Sequence, residues 1–414
     1  MKSIKGTYYR KIFKDASYET ETEMEEILDF ANMVFSMDYG CIDFAALFPK
    51  AYSEKRCGRV THHMIKEKGK IRALADSYPF VMRLKAGQGN KPMELKAAYI
   101  GTVAVHPGTR GKGYMTELME RAGEDVVRQG CALMIVDGDR HRYRHCGFER
   151  AGIRYSFSVG MGSIMHCCRE LYSVQYMDSP VYSFEEVDEE SPYTDCMFKL
   201  YMRRNVTARS REDFFWCLKG NHAVIYAVLK DDVFVGYVSL SEDGRNVLEF
   251  EVHENAELPR IIYDLMEGIG STLLGIDVGM DESGKLVYLE KMCDYCNASM
   301  SHQIKILDYE AVLRFLFNWK HSFCMLDSND YVIGVGSGKD RHIENYLISV
   351  KGSRINVERT DRKADTVLGE LELVSVLTTN VCFVEQLKGS GSKIKNAPTG
   401  WFPLPFYLPD ADAF

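Results

Sequence analysis

No apolar run in this 414-residue sequence approaches the ~20 residues that a helix needs to cross a bilayer. The longest near-candidate, residues 97–105, is interrupted by Gly101 and Thr102. There is also no excess of basic residues. The 51 Lys and Arg stand against 59 Asp and Glu, a formal net charge of −8, opposite in sign to the charge of a typical polyanion binder. Nucleic acid is therefore not an expected partner. The twelve cysteines lack the density and spacing of a disulfide framework, which fits reduced thiols in a cytoplasm. Their default role is that of a small buried hydrophobe. The N-terminal stretch turns acidic (ETETEMEE) where a leader would turn apolar. A soluble, cytoplasmic protein with no membrane partner is the expectation.

What is present is ordinary globular material, 46% hydrophobic and 27% charged, enough for two to four domains at roughly 100–200 residues each. In the first stretch Met24, Ile27, Leu28, Ala31, Val34 and Phe35 recur at helical spacing and predict an amphipathic helix. Residues 95–105 (LKAAYIGTVAV) read as a strand. A Gly/Arg-rich turn follows, then a second helix with Met115, Leu118, Met119, Ala122 and Val126 on one face. Residues 131–136 (CALMIV) read as a short buried strand. Strand, crossover helix, strand is the unit that builds a parallel pair.

A polar, acidic passage at residues 179–191 suggests a boundary. Beyond it, residues 223–229, 233–240 and 247–252 read as three strands, followed by a helical LPRIIYDLMEGIG segment. This second stretch repeats the strand order of the first without its Gly/Arg turn. A third stretch, from about residue 304, opens with the helical YEAVLRFLFNW and continues through a strand at residues 345–350. It ends in WFPLPFYLPDADAF, whose prolines exclude a regular helix or central strand.

The most informative segment is Val103-Ala104-Val105-His106-Pro107-Gly108-Thr109-Arg110-Gly111-Lys112-Gly113-Tyr114-Met115. A strand delivers the backbone into a turn where Gly108, Gly111 and Gly113 permit close approach and positive φ, and a helix starts at once. Amides at such a helix start favour an anion, and Arg110 and Lys112 add charge. The chemistry this suits is a pyrophosphate held mainly by backbone N–H groups. Neither a Walker loop nor a dinucleotide fingerprint is spelled here. The whole pattern, with its V-x-V-x-P-x-x-R-G-x-G core, resembles motif A of the GCN5-related N-acetyltransferase (GNAT) superfamily, in which this turn binds the pyrophosphate of acetyl-CoA.

Downstream, Tyr143-Arg144-His145-Cys146-Gly147-Phe148 is similar to the Y-x-x-x-G-[FY] signature of the same superfamily. There the tyrosine hydroxyl lies near the coenzyme sulfur, a role for Tyr143 that suits a proton donor to a departing thiolate. His141 has a secondary role at most. Over nearly its full length the chain resembles the Eis family of acetyltransferases, which combines tandem GNAT folds with a sterol-carrier-protein-like (SCP2-like) C-terminal domain. That resemblance implies a mixed α/β architecture divided as residues 1–162, 163–302 (a degenerate GNAT-like unit) and 303–414. In such enzymes a terminal carboxylate on an aromatic residue returns to the first unit as general base, which here implies Phe414, with Asp410 and Asp412 adding negative potential.

The resemblance further implies that Val103, Ala104 and Val105 hold the pantetheine arm of acetyl-CoA. Arg110, Gly111, Lys112, Gly113, Tyr114, Met115 and Thr116 would line its pyrophosphate, and Gly138 and Asp139 would complete the site. The partner expected is a small-molecule amine, and a homo-oligomer, a hexamer among the possibilities, is implied by resemblance alone. No metal is expected: Cys293 and Cys296 form a lone CxxC with only His302 nearby in sequence, short of the four ligands of a structural zinc site. Cys167-Cys168 is weaker still. His62-His63 precedes a Lys-rich run read as a solvated face, and the segment around Trp216 reads as an amphipathic helix between domains. Two other readings stand beside the main one. They are an acyltransferase with a different acyl-CoA donor, as N-myristoyltransferases with their own tandem GNAT folds illustrate, and a non-catalytic acyl-CoA-binding sensor.

Overall fold

The computed structural model describes residues 6–13, 18–85, 91–172, 179–337 and 342–414; the first five residues of the expected first unit, and residues 173–178 of the second, lie outside them. The architecture is mixed α/β, built on three sheets. Six strands of the first sheet come early: β1 (Thr7–Lys11), β2 (Thr61–Glu67), β3 (Lys70–Leu84), β4 (Met93–Val105), β5 (Leu133–Val136) and β6 (Glu149–Ala151). The chain then supplies β7 (Arg154–Gly160), β8 (Ser183–Glu186), the two-residue β9 (Val206–Thr207), β10 (Val224–Lys230), β11 (Val233–Leu240), β12 (Asn246–Val252), β13 (Leu273–Gly279), β14 (Tyr295–Ser299) and β15 (His302–Ile306). The third sheet holds β16 (Asn329–Ser337), β17 (His342–Lys351), β18 (Arg354–Arg359) and β19 (Thr366–Gly369), in the order β18-β17-β16-β19.

The helical periodicities resolve into packed helices. Tyr18–Tyr39 buries Met24, Ile27, Ala31 and Val34, and Tyr114–Arg128 buries Leu118, Met119, Ala122 and Val126. Each of these side chains larger than alanine contributes about 1.5–3 kcal/mol by leaving water. The Tyr114–Arg128 helix makes the crossover between β4 and β5, which pair in parallel from Ala97↔Leu133 to Ile100↔Val136. The helix Leu258–Ile269 makes the equivalent crossover from β12 to β13, parallel at only Asn246↔Gly275 and Val247↔Ile276.

The sheets cut across the boundaries expected at 162/163 and 302/303. Strand β7, expected in the first unit, lies between β13 and β14 of the second sheet, while β15 inserts between β5 and β6 of the first. Only Gly152 and Ile153 separate β6 from β7, and Gly152 turns the corner at φ +76°. Strand alternation specifies which face of a strand is buried and carries no information about which sheet it joins.

The proline-rich tail has no strand or α-helix, only a 3₁₀ turn at Asp410–Asp412, yet Trp401, Phe402, Leu404, Phe406, Tyr407, Leu408, Ala411 and Phe414 are all buried. Its route touches every sheet. The Leu404 N–H donates to Leu377 O at 2.7 Å, the Tyr407 hydroxyl to Asp277 O at 3.3 Å on β13, and Arg209 Nε to Asp412 Oδ1 at 2.7 Å. Lys50 Nζ in the first unit donates to Asp412 O at 2.5 Å. The tail thus occupies the crevice that opens where β12 and β13 diverge. His302 bridges two acceptors, Asp137 Oδ1 and Leu408 O, each at 2.9 Å. Both ring nitrogens must donate, so the ring is an imidazolium. Burial alone would lower its pKa, but the Asp137 carboxylate more than reverses this and the net shift is upward.

Candidate active site

The site grows from an irregularity in β4. Its register with β3 runs from Leu84↔Met93 to Asp76↔Gly101 and resumes at Leu74↔Ala104. Thr102 and Val103 therefore stand opposite the single residue Ala75, which is a β-bulge. Thr102 has φ +49°, a conformation that is an outlier for a β-branched residue and costs about 1–3 kcal/mol. On its other side β4 loses β5 after Ile100, so the backbone edge of residues 101–105 carries no partner strand there. That edge is a place where an extended ligand can add hydrogen bonds as a strand would.

The turn after β4 continues the opening. Gly111 and Gly113 sit at φ +83° and +81°. Gly108 does not adopt a positive φ; its N–H donates to His106 Nδ1 at 3.1 Å. Gly113 is the N-cap of Tyr114–Arg128 and has no side chain with which to cap it. The first N–H groups of that helix are therefore left for a ligand. They face a cleft of about 510 Å³ lined by Val34, Phe35, Asp38 and Tyr39 of the first helix, by Val103 and Val105, and by Thr109, Arg110, Gly111, Gly113, Tyr114, Met115 and Arg142. An apolar strand edge, two guanidinium groups and uncapped amides fit an acyl thioester with a charged pyrophosphate tail.

The other sequence-predicted residues are distributed as follows. Lys112 is turned away to Glu67, with Nζ 2.8 Å from Oε1, and the Tyr114 hydroxyl also meets Glu67. Ala104 is buried toward the opposite core, and Thr116 is exposed on the helix and is not part of the cleft lining. Asp139 caps the short helix Arg140–Arg144 by accepting from the His141 N–H at 3.0 Å, which commits its carboxylate to structure. Gly138 allows that corner at φ +114°, where a Cβ would lie 3.3 Å from the Tyr143 ring. His141 is exposed. Asp412 and Asp410 do not offer free negative potential: Asp412 is neutralised by Arg209 at 2.7 Å, and Asp410 lies 3.4 Å from Arg154. His302, held by Asp137 and Leu408, is not available to Cys293 and Cys296.

Tyr143 is buried with Phe148, and burial pushes its phenol up to about 12, against a smaller downward pull from neighbouring Arg142. Neither Tyr143 nor Phe414 is part of the cleft lining; Phe414 belongs to the core that buries Ala104, and Tyr143 to the one that buries Val103. The Phe414 ring packs among Phe48, Tyr52 and Tyr78 at centroid distances of 5.7–5.9 Å. Its terminal carbonyl lies against Gly101, so close that a Cβ there would be 2.6 Å from Phe414 O. Arg142, Phe35, Asp38 and Tyr39 were not anticipated from sequence. The only available signal was that the first helix ends in polar and aromatic residues (SMDY) instead of continuing its apolar face.

With this geometry in hand, comparison with known proteins is direct. Residues 16–151 match the family described as Acetyltransferase (GNAT) domain. No curated protein gives a match. Among solved structures, a GCN5-related N-acetyltransferase from Kribbella flavida superposes with a TM-score of 0.62 at 16% identity, over 99% of this chain and 100% of that one. One from Anabaena variabilis gives 0.62 at 14% identity over 97% and 100%, and Eis1 from Mycobacterium abscessus gives 0.60 at 15% over 99% and 100%. At these identities the structures establish the fold, which is GNAT-like. The matched domain makes the chain an acyltransferase drawing on acyl-CoA. Among the described residues no helix is long and apolar enough to cross a membrane.

Proposed function

We propose that this chain is an N-acetyltransferase that moves the acetyl group of acetyl-CoA to a primary amine of aminoglycoside, polyamine or lysine-like type, by direct attack within a ternary complex. The observation that carries the reading is the convergence on one stretch of β4. The unpaired edge at residues 101–105, the uncapped helix start at Gly113 and the carboxyl end of Phe414 against Gly101 all meet there.

In this mechanism the amides of Val103 and Val105 hold the pantetheine arm as a strand partner, and the Val105 N–H polarises the thioester carbonyl. Amides from Gly111 to Met115, with Arg110, receive the pyrophosphate. The Phe414 carboxylate, of reference pKa near 3.5, takes the proton that an attacking ammonium must lose. Tyr143 serves the departing sulfur. A phenol at about 12 is a weaker acid than a thiol near 8.5. Its contribution is therefore a hydrogen bond to the developing thiolate, since complete proton transfer would be uphill by roughly 5 kcal/mol. The net charge of −8 suits a cationic acceptor, while Asp38 in the cleft is paired with Arg110 at 3.8 Å.

The proposal extends to the rest of the chain. The unit after residue 303, a helix on a four-stranded sheet, is read as SCP2-like, the protein as cytoplasmic, and its assembly as a homo-oligomer, for which a hexamer is the first state to test by light scattering. The decisive experiment appends a short tag after Phe414 and, separately, makes Tyr143→Phe. Thiol release from acetyl-CoA is then followed with polyamine and aminoglycoside acceptors. Both changes are expected to depress kcat; rates near wild type in both would end the role assignment.

A further inference from the structure

A buried polar chain runs behind the bulge and has no part in the mechanism above. Asp76, on β3 directly opposite Gly101, is fully inaccessible to solvent. A buried carboxylate is costly unless hydrogen bonds compensate it, and Asp76 has them: Tyr52 donates its hydroxyl to Oδ2 at 2.6 Å, and His62 Nδ1 lies 2.9 Å from Oδ1. The Tyr52 oxygen is also in contact with Thr102 Oγ1. Because the only phenolic proton goes to Asp76, the Thr102 hydroxyl must donate to Tyr52. The direction of the chain is thereby fixed, from Thr102 to Tyr52 to Asp76. Thr102 is the residue held at φ +49°, and Val103 follows it in the bulge.

Two features separate this from ordinary core satisfaction. The strained residue is β-branched, although glycine would adopt the same φ without penalty, and strain of this kind persists only where surrounding contacts over-determine it. The restraint also acts on a single residue, next to the strand edge that faces the cleft. We infer that Thr102, Tyr52 and Asp76 form a positioning latch that holds the β4 bulge in its left-handed conformation and so aims the Val103 and Val105 amides at the acyl donor. This rests on the reading of 101–105 as the donor-binding edge. Tyr52 also packs against the Phe414 ring, so the latch touches the residue proposed as base. The Thr102, Tyr52 and Asp76 side chains act by positioning.

The test compares Thr102→Val, which keeps shape and branching but loses the donor, with Thr102→Ser, which keeps the donor. Tyr52→Phe serves as a second break in the chain should Thr102→Val fold poorly. Two readouts are taken: kcat/KM for acetyl-CoA, and the infrared carbonyl stretch of carbonyl-¹³C-labelled acetyl-CoA bound to each variant. In wild type the stretch is expected to move to lower frequency on binding, because an amide polarises the carbonyl. Thr102→Val and Tyr52→Phe are expected to abolish that displacement and to lower kcat/KM about 10²-fold, the scale of a 1 Å misplacement, while Thr102→Ser keeps both. Wild-type turnover in Thr102→Val overturns the latch. So does lost turnover with the carbonyl displacement intact, which would mark mere structural damage. If wild type itself shows no carbonyl displacement, the donor-edge reading fails and takes the latch with it.

Discussion

Gly101 offers the most direct perturbation of the proposed base. A methyl group there lies 2.6 Å from Phe414 O and 2.8 Å from its carbonyl carbon, whereas ordinary contact begins at 3.4 Å. The terminal group must therefore retreat by about 0.8 Å, because its opponent is main chain and not the flexible tip of a side chain. Gly101 does not have a left-handed φ, so alanine fits its backbone and the effect is steric. Overpacking of this kind costs roughly 1–3 kcal/mol of stability. Displacing a catalytic group by about 1 Å costs about 10²-fold in rate, or ~2.7 kcal/mol in the barrier. Gly101→Ala is thus expected to lower kcat for thiol release by one to two orders of magnitude, with the Kd for acetyl-CoA from calorimetry little changed. Deleting Phe414 should cost at least as much, and adding Gly101→Ala to that deletion should cost nothing further. A kcat within about twofold of wild type for Gly101→Ala would refute the argument, as would an equal loss in the deletion background.

Gly113→Ala meets no atom within 4 Å but must adopt φ +81°; about 1–2 kcal/mol of strain is expected as a lower Tm and a raised KM for acetyl-CoA. Gly152→Ala combines φ +76° with a Cβ 1.7 Å from Phe406 O, so more than ~2 kcal/mol should be lost in urea denaturation and the tail should become accessible to carboxypeptidase. His302 titrates above its unfolded value. Its contribution is complete below about pH 6.5 and fades as pH rises through its folded pKa. Urea midpoints should fall over that range, and His302→Gln should flatten the decline.

The parts of this molecule that could be read from sequence are those encoded locally. Helical spacing located Tyr18–Tyr39 and Tyr114–Arg128, and the Gly/Arg turn located the uncapped helix start, because positive φ and close approach are demands on individual residues. The lining contributed by Phe35, Asp38 and Tyr39 was not visible, since it depends on how the first helix lies across β4, and that of Arg142 depends on where the short helix Arg140–Arg144 is placed. The side chains of Lys112 and Asp139 have partners within the protein. Glu67 captures the Lys112 ammonium and the helix start at Arg140 captures the Asp139 carboxylate, partners that no spacing rule reveals. The prolines of the tail correctly excluded regular structure, but its burial follows from a crevice formed by strands more than a hundred residues earlier.

The insertion of β15 between β5 and β6 also sets a timetable for synthesis. When β5 leaves the ribosome, one of its two neighbours does not yet exist; Ile306 follows Val136 by about 170 residues. At the usual 5–20 residues per second, that is a wait of roughly 10–30 s. Throughout it, Leu133–Val136, apolar at every position and fully buried in the finished sheet, presents an open edge of the kind that recruits foreign strands. The nascent chain is therefore most vulnerable to aggregation in this window, and a truncated message ending before β15 would leave that edge permanently exposed.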